Sequence, residues 1–268
     1  MQSMNSGEWS QYGEVNAIID KLISAHKQIF RDKLVGYYLY GSLVWGGFDI
    51  SSSDIDTLCV LTSKVTAEEM KQLKLVHEEI SNNHPMWNDR IEIHYAPQSG
   101  IKHFRTTSFT MGNISPGEPL HLISAGIEWI DEWYCVQEYA VTLFGIDKSK
   151  VIPRIEREEF IRAVCEYARS FQERIRTCKQ SCYSQSYGIL TLCRALYTLK
   201  CGEQISKPEA AEWAKNYLPE YKDVIEDALV WRMERDTAGR NAEETYALAE
   251  KFVDDILTRF LIRKSEIY

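Results

Sequence analysis

Two aspartates, Asp54 and Asp56, head the apolar run SDIDTLCVL of residues 53–61. Such a run of apolar and β-branched residues reads as a strand whose body is buried. An ionised carboxylate is costly to desolvate without a partner. The chain must therefore bury Leu58 to Leu61 yet leave both acids at an open end, beside something positive. Residues two apart in a strand point the same way, so Asp54 and Asp56 project from one face.

The neighbouring segments extend this into a sheet. Upstream, VGYYLYGS reads as a strand closed by the turn Gly41-Ser42, and SLVWGGFD as a brief helix stopped by Gly46 and Gly47. Downstream, RIEIHYA alternates and reads as a third strand, with Ile91 and Ile93 on one side and Glu92 and His94 on the other. Residues 14–30 carry apolar side chains at helical spacing, and Thr66 with Glu69 forms a capping box for a helix to about Ile80.

From about Ile123 the patterning turns helical. GIEWIDEWYCVQEYAVTLFG reads as one helix to Gly145, and KSKVIPR as a connector. REEFIRAVCEYARSFQERI places Phe160, Val164, Ala168, Phe171 and Ile175 on one face; SYGILTLCRALYTLKCG is a strongly apolar helix closed by Gly202. Ser206 with Glu209, and Asn241 with Glu244, cap two more. The expected architecture is an α/β N-terminal domain, a small mixed sheet with flanking helices, over residues 1–150. An all-α helical bundle follows over 151–268.

Composition narrows the function classes. The net charge of −8 disfavours a protein that grips nucleic-acid phosphates. No window is long and apolar enough to span a membrane. The N-terminal stretch lacks the pattern of a signal peptide, and the seven scattered cysteines read as reduced thiols, so the cytoplasm is the expected compartment. Cys178 and Cys182, four apart on a presumed helix, have no second Cys or His pair at zinc spacing.

If the second and third strands are neighbours, Glu92 joins Asp54 and Asp56. Three clustered carboxylates repel unless a cation intervenes. Mg²⁺ suits them, because it takes hard oxygen ligands and prefers one or two carboxylates completed by substrate phosphates. The Gly41-Ser42 turn lets backbone N–H groups approach a phosphate. A phosphate-binding turn beside a metal-binding acid pair is what nucleotidyl transfer requires. His94 and Trp45 read as structural, and the Trp and Tyr residues between 129 and 139 as core.

The segments LYGSLVWGGF and SDID resemble the Gly-Ser and Asp-x-Asp signature of polymerase-beta-like nucleotidyltransferases. With RIEI, VTLFGIDKSKVI and ILTLCRALYTLKCGEQISKPEAAEW, residues 35 to 220 resemble the streptomycin/spectinomycin adenylyltransferases, bacterial aminoglycoside-resistance enzymes. The resemblance implies that Gly41 and Ser42 contact nucleotide phosphate. It implies that Asp54, Asp56 and Glu92 hold Mg²⁺ (two ions), with Glu92 also the general base. Arg194 and Lys207 would reach the triphosphate from the helical domain, across an interdomain cleft. A monomer is expected, with ATP as co-substrate and a hydroxylated, cationic acceptor. One departure stands out: in CYSQSYG, Ser184 occupies the place of the family's drug-recognising aspartate, and Tyr187 lies just before the helix core. The acceptor is therefore a different aminoglycoside or no antibiotic at all. A glycosyltransferase with an Asp-x-Asp pair and an ATP-binding regulatory module are the competing readings. A phosphate-loop ATPase is excluded, since Gly47 and Phe48 replace the required Lys and Ser/Thr.

Overall fold

The computed structural model describes residues 9–233 and 241–262; residues 1–8 of the N-terminal stretch weighed for a targeting signal lie outside them. The chain forms two compact units. One comprises the residues up to Trp45 with Ser53–Ile155, the other Gly46–Ser52 with the residues from Glu156 onward.

The first unit is built on a six-stranded mixed sheet. Its strands are β1 (Leu34–Tyr40), β2 (Ile55–Leu61), β3 (Ile91–Pro97), β4 (Phe109–Ser115), β5 (Glu118–Ala125) and β6 (Val141–Gly145), in the order β5-β4-β3-β2-β1-β6. β2 and β3 run parallel, joined through a helical crossover, and every other pairing is antiparallel. Helices α1 (Gly13–Phe30) and α3 (Ala67–Asn83) cover one face, and α2 (Ser42–Trp45) is a single turn after β1. Two short elements complete the unit, α4 (Gln98–His103) and α5 (Ile130–Tyr139), the latter packed on β1. The Thr66–Glu69 capping box starts α3.

Two expectations are corrected here. The helix expected to run to Gly145 stops at Tyr139, because Ala140 turns extended and Val141–Gly145 pairs with the edge of β1. Cys178 and Cys182 do not share a helix: Cys178 follows a 3-10 turn and Cys182 opens the next helix. All seven cysteines are unbridged.

The second unit is helical: α6 (Arg157–Arg169), α7 (Phe171–Arg174), α8 (Cys182–Cys201), α9 (Lys207–Tyr217), α10 (Lys222–Met233) and α11 (Ala242–Ile256). α8 is its axis, packed by α6, α9, α10 and α11 and buried along most of its length. A helix apolar nearly all round belongs at the centre of a bundle. Gly202 ends it at φ 73, a left-handed conformation that glycine takes without a Cβ clash. The Ser206–Glu209 capping box opens α9; Asn241 caps α11 through the Glu243 N–H and donates its side-chain amide to Glu244. Among the described residues no helix is long and apolar enough to cross a membrane.

On the covered face of the sheet, His26 of α1 and His77 of α3 each lie 3.1 Å from the Tyr95 hydroxyl. Burial, with the charge of His77 added at His26, lowers their pKa values to about 3 and about 4. The folded protein thus excludes protons that the unfolded chain binds near pH 6.5. Stability present above that pH is lost as the pH falls toward 4, by about 1.4 kcal/mol per pH unit for each histidine. Urea unfolding at pH 7 and pH 5 tests this. The variant His77→Leu should show a weaker loss over that interval by about one proton's worth; an unchanged pH dependence would refute the assignment.

Candidate active site

The parallel register of β2 and β3 decides what meets at their open ends. It sets Asp56 against Glu92, while the antiparallel register of β1 and β2 sets Tyr40 against Asp56. Paired residues share a face, so Tyr40, Asp56 and Glu92 form a row across three strands. Leu58 and His94 share that face one pleat further along. The Ile55 N–H donates to the Arg90 carbonyl at 3.0 Å, fixing this register where both strands begin. Asp54 lies just ahead of β2, and all three acids are half-buried.

Gly41 makes room for the row. Its φ is +76, and a Cβ there would sit 1.7 Å from Asp56 Oδ2. The carboxylate thus lies against bare backbone, in a conformation that side-chain-bearing residues rarely adopt. Ser42 follows at once and opens α2. Four of the sequence-derived candidates therefore gather here, Gly41, Ser42, Asp56 and Glu92, with Asp54 two residues from Asp56. Arg194 and Lys207 belong to the helical unit. Arg194 is half-buried on α8 and makes no ion pair among the described residues. The Lys207 ammonium stands 3.7 Å over the ring of Tyr187. Ser184 donates its backbone N–H to the capping Ser181 hydroxyl in the first turn of α8. Trp45, read as structural, packs edge-on against Tyr139.

Four further residues shape the site. Arg90, buried, donates from Nε at 3.1 Å and also from Nη2 to the Ser53 carbonyl, so a positive charge braces the turn that carries Asp54. Its place at the head of RIEI was the only signal for it. His94, read as structural, is buried and bonded through Nδ1 to Asn113 Oδ1 at 2.7 Å. Its Nε2 also lies 3.4 Å from Glu92 Oε1. Burial works against the imidazolium, but Glu92, Glu132 and Asn113 together raise the His94 pKa. Asn113 comes from a strand that the sequence pattern did not reveal.

Glu132 enters from α5. Trp129, Glu132 and Trp133 are spaced to share one helix face, and Trp129 contacts the His94 ring edge-on at 4.9 Å. The buried Tyr40 hydroxyl, with no hydrogen-bond partner among the described residues, feels the same charges. Burial first, then Glu132, Glu92 and Asp56, push its pKa well above the phenol range, so it stays an O–H.

Among the described residues no three His, Cys, Asp or Glu side chains converge so as to hold a metal by themselves. A ready-made carboxylate cage is thus not present. The donors that do gather are hard carboxylate oxygens beside a turn cleared by Gly41, which fits Mg²⁺ arriving with a polyphosphate that completes its shell.

Residues 150–259 match the family described as aminoglycoside adenylyltransferase, C-terminal domain. A spectinomycin 9-adenylyltransferase from Staphylococcus aureus (strain Mu50 / ATCC 700699) is 27% identical over 209 residues, covering 72% of this chain and 75% of that one. One from Campylobacter jejuni is 25% identical over 229 residues, covering 81% and 82%. Residues 150–259 thus match the C-terminal domain of the aminoglycoside adenylyltransferase family, and these relatives extend the likeness over most of the chain. The fold agrees: the crystal structure of spectinomycin adenyltransferase AAD(9) from Enterococcus faecialis with ATP and spectinomycin superposes with a TM-score of 0.70 at 19% identity, covering 89% of this chain and 98% of that one. In the row from Gly41 to Glu92, the bare backbone of Gly41 is what lets the Asp56 carboxylate approach.

Gly41→Ala should accordingly drive a methyl group into the Asp56 carboxylate. Turnover is expected to fall at least about 100-fold, with a lowered melting temperature. Gly13→Ala, where a Cβ meets nothing within 4 Å, is the control. Wild-type turnover in Gly41→Ala would show that the close approach has no catalytic consequence.

Proposed function

We propose that the protein transfers AMP from ATP to a hydroxyl of an aminoglycoside, releasing pyrophosphate, with spectinomycin the first acceptor to test. The observation that carries this reading is the pairing of Asp56 with Glu92 beside the Gly41-Ser42 turn. It brings two carboxylates to one point beside a turn whose bare backbone lies against Asp56.

Gly41 and Ser42 would bind nucleotide phosphate, with Arg194 and Lys207 supplying positive charge to the triphosphate. Asp54, Asp56 and Glu92 would hold Mg²⁺, which when bound neutralises the triphosphate and eases departure of pyrophosphate. Glu92 takes the proton of the acceptor hydroxyl. The oxygen so activated attacks the α-phosphorus in line, forming the new P–O bond as the bond to pyrophosphate breaks. Arg194, half-buried yet with no carboxylate partner among the described residues, is in the state expected of a phosphate ligand.

The acceptor follows from charge. Asp56, Glu92 and Glu132 give the face of the sheet a negative field suited to a polyamine such as an aminoglycoside. The family's acid is replaced by Ser184, so the ammonium groups would be read from the sheet side instead. An acceptor that is not an antibiotic uses the same chemistry and remains the alternative. An ATP-binding module without transfer has no use for Glu92 beside Asp56. Action as a monomer in the cytoplasm completes the reading.

The test incubates the protein with Mg·ATP and, separately, spectinomycin, streptomycin and other aminoglycosides, following pyrophosphate and the mass of the acceptor. Expected is the gain of one adenylyl group on at least one drug, abolished in Asp54→Asn. No adenylylation across the panel would refute the aminoglycoside acceptor, and full activity in Asp54→Asn would refute the acid's role.

A further inference from the structure

Glu92 has a flexible side chain near the start of β3, where that side chain is 24% exposed. A general base has to be held within hydrogen-bond reach of the proton it takes. Fixing a glutamate costs side-chain entropy that some neighbour has to offset. The supports on its own face are few and specific. His94, two residues on, is 2% exposed, and its Nε2 stands 3.4 Å from Glu92 Oε1.

The His94 ring has little freedom of its own. Nδ1 is tied to Asn113 Oδ1 at 2.7 Å, and Asn113 is opposite His94 in the β3–β4 register and itself 4% exposed. Trp129 packs edge-on against the ring at 4.9 Å, and Tyr40 lies tilted at 6.4 Å. Held at Nδ1 by Asn113, the ring turns Nε2 toward Glu92, and that nitrogen is buried with no hydrogen-bond partner among the described residues. Fixing one ring nitrogen through a partner so that the other is aimed is the usual way a protein orients an imidazole.

We infer that His94, anchored by Asn113, is a positioning residue that holds Oε1 of Glu92 and leaves Oε2 for the acceptor hydroxyl. This rests on Glu92 being the base, and a purely structural histidine would satisfy Asn113 without any effect on Glu92. The contact at 3.4 Å is long, and catalytic hydrogen bonds commonly tighten once substrate is bound. Asn113 is the second half of the device, because losing it frees the ring to swing.

The test compares His94→Leu, His94→Gln, Asn113→Leu and Glu92→Gln in steady-state adenylylation of the acceptor found above, with crystal structures of the wild type and His94→Leu. His94→Leu is expected to lower kcat at least about tenfold, with the KM for ATP within about twofold of wild type. His94→Gln, which restores an N–H near the Nε2 position, should recover most of kcat, and Asn113→Leu should resemble His94→Leu. In crystals the Glu92 carboxylate should leave its wild-type position in His94→Leu. Should Glu92→Gln be inactive while His94→Leu keeps full kcat, the positioning role falls and the base survives. Activity in Glu92→Gln would overturn both. An equal loss in His94→Leu and His94→Gln would mark a folding effect and overturn the inference. If no acceptor turns over, the crystal comparison decides alone: an unmoved Glu92 carboxylate overturns it and a displaced one supports it.

Discussion

The side-by-side pairing of β2 with β3, Asp56 against Glu92, is the constraint on which the candidate site rests. Side chains alternate faces along a strand, so a slip of one residue would send Glu92 to the face covered by α1 and α3. There it would meet His26, His77 and Tyr95, and its desolvation would cost more than any catalytic gain. The register is therefore enforced from the other face. Ile55, Ile91 and Ile93 are buried there, and the Tyr95 hydroxyl is shared by two histidines that no neighbouring register would satisfy. The core holds the acids in place without touching them.

Electrostatics on the open face reads as a managed repulsion. Asp56 and Glu92 are adjacent, and Glu132 adds its charge from α5. Three features temper this cluster within the protein. Arg90 braces the Asp54 turn through the Ser53 carbonyl, His94 sets Nε2 3.4 Å from Glu92 Oε1, and Tyr40 remains a neutral hydroxyl. A substrate that brings a divalent cation on its phosphates relieves the remainder. The question raised by two aspartates at the head of an apolar strand thus has a layered answer, part of it built into the chain.

How far the sequence alone revealed this follows from burial. β1, β2, β3 and α8 were legible because their apolar side chains follow the period of the element and its burial. The capping residues Thr66 and Ser206 were legible because capping is local chemistry. The β4–β5 hairpin was not, since β5 is largely exposed, opens on Glu118-Pro119 and breaks alternation at Leu122-Ile123. β6 was absorbed into a helix because its apolar residues continue those of α5 without a break. The acids were found by their spacing, whereas Asn113 and Glu132 reach the site only through tertiary contacts that no local pattern encodes. His94 was seen to share a face with Glu92, yet a lone histidine on a strand gives no hint of the partner fixing its ring. The family resemblance supplied Arg194 and Lys207, which local pattern alone would have left among ordinary helix residues.

The most direct measurement of whether Asp56 and Glu92 act as one unit is a double-mutant cycle on kcat/KM with Asp56→Asn, Glu92→Gln and the double variant. Two groups on neighbouring strands that serve the same reacting atoms are strongly non-additive. The double variant should therefore be no slower than the slower single variant to within about threefold. Losses that multiply across the two positions would contradict the account, because the acids would then act independently and the register that pairs them would have no bearing on catalysis.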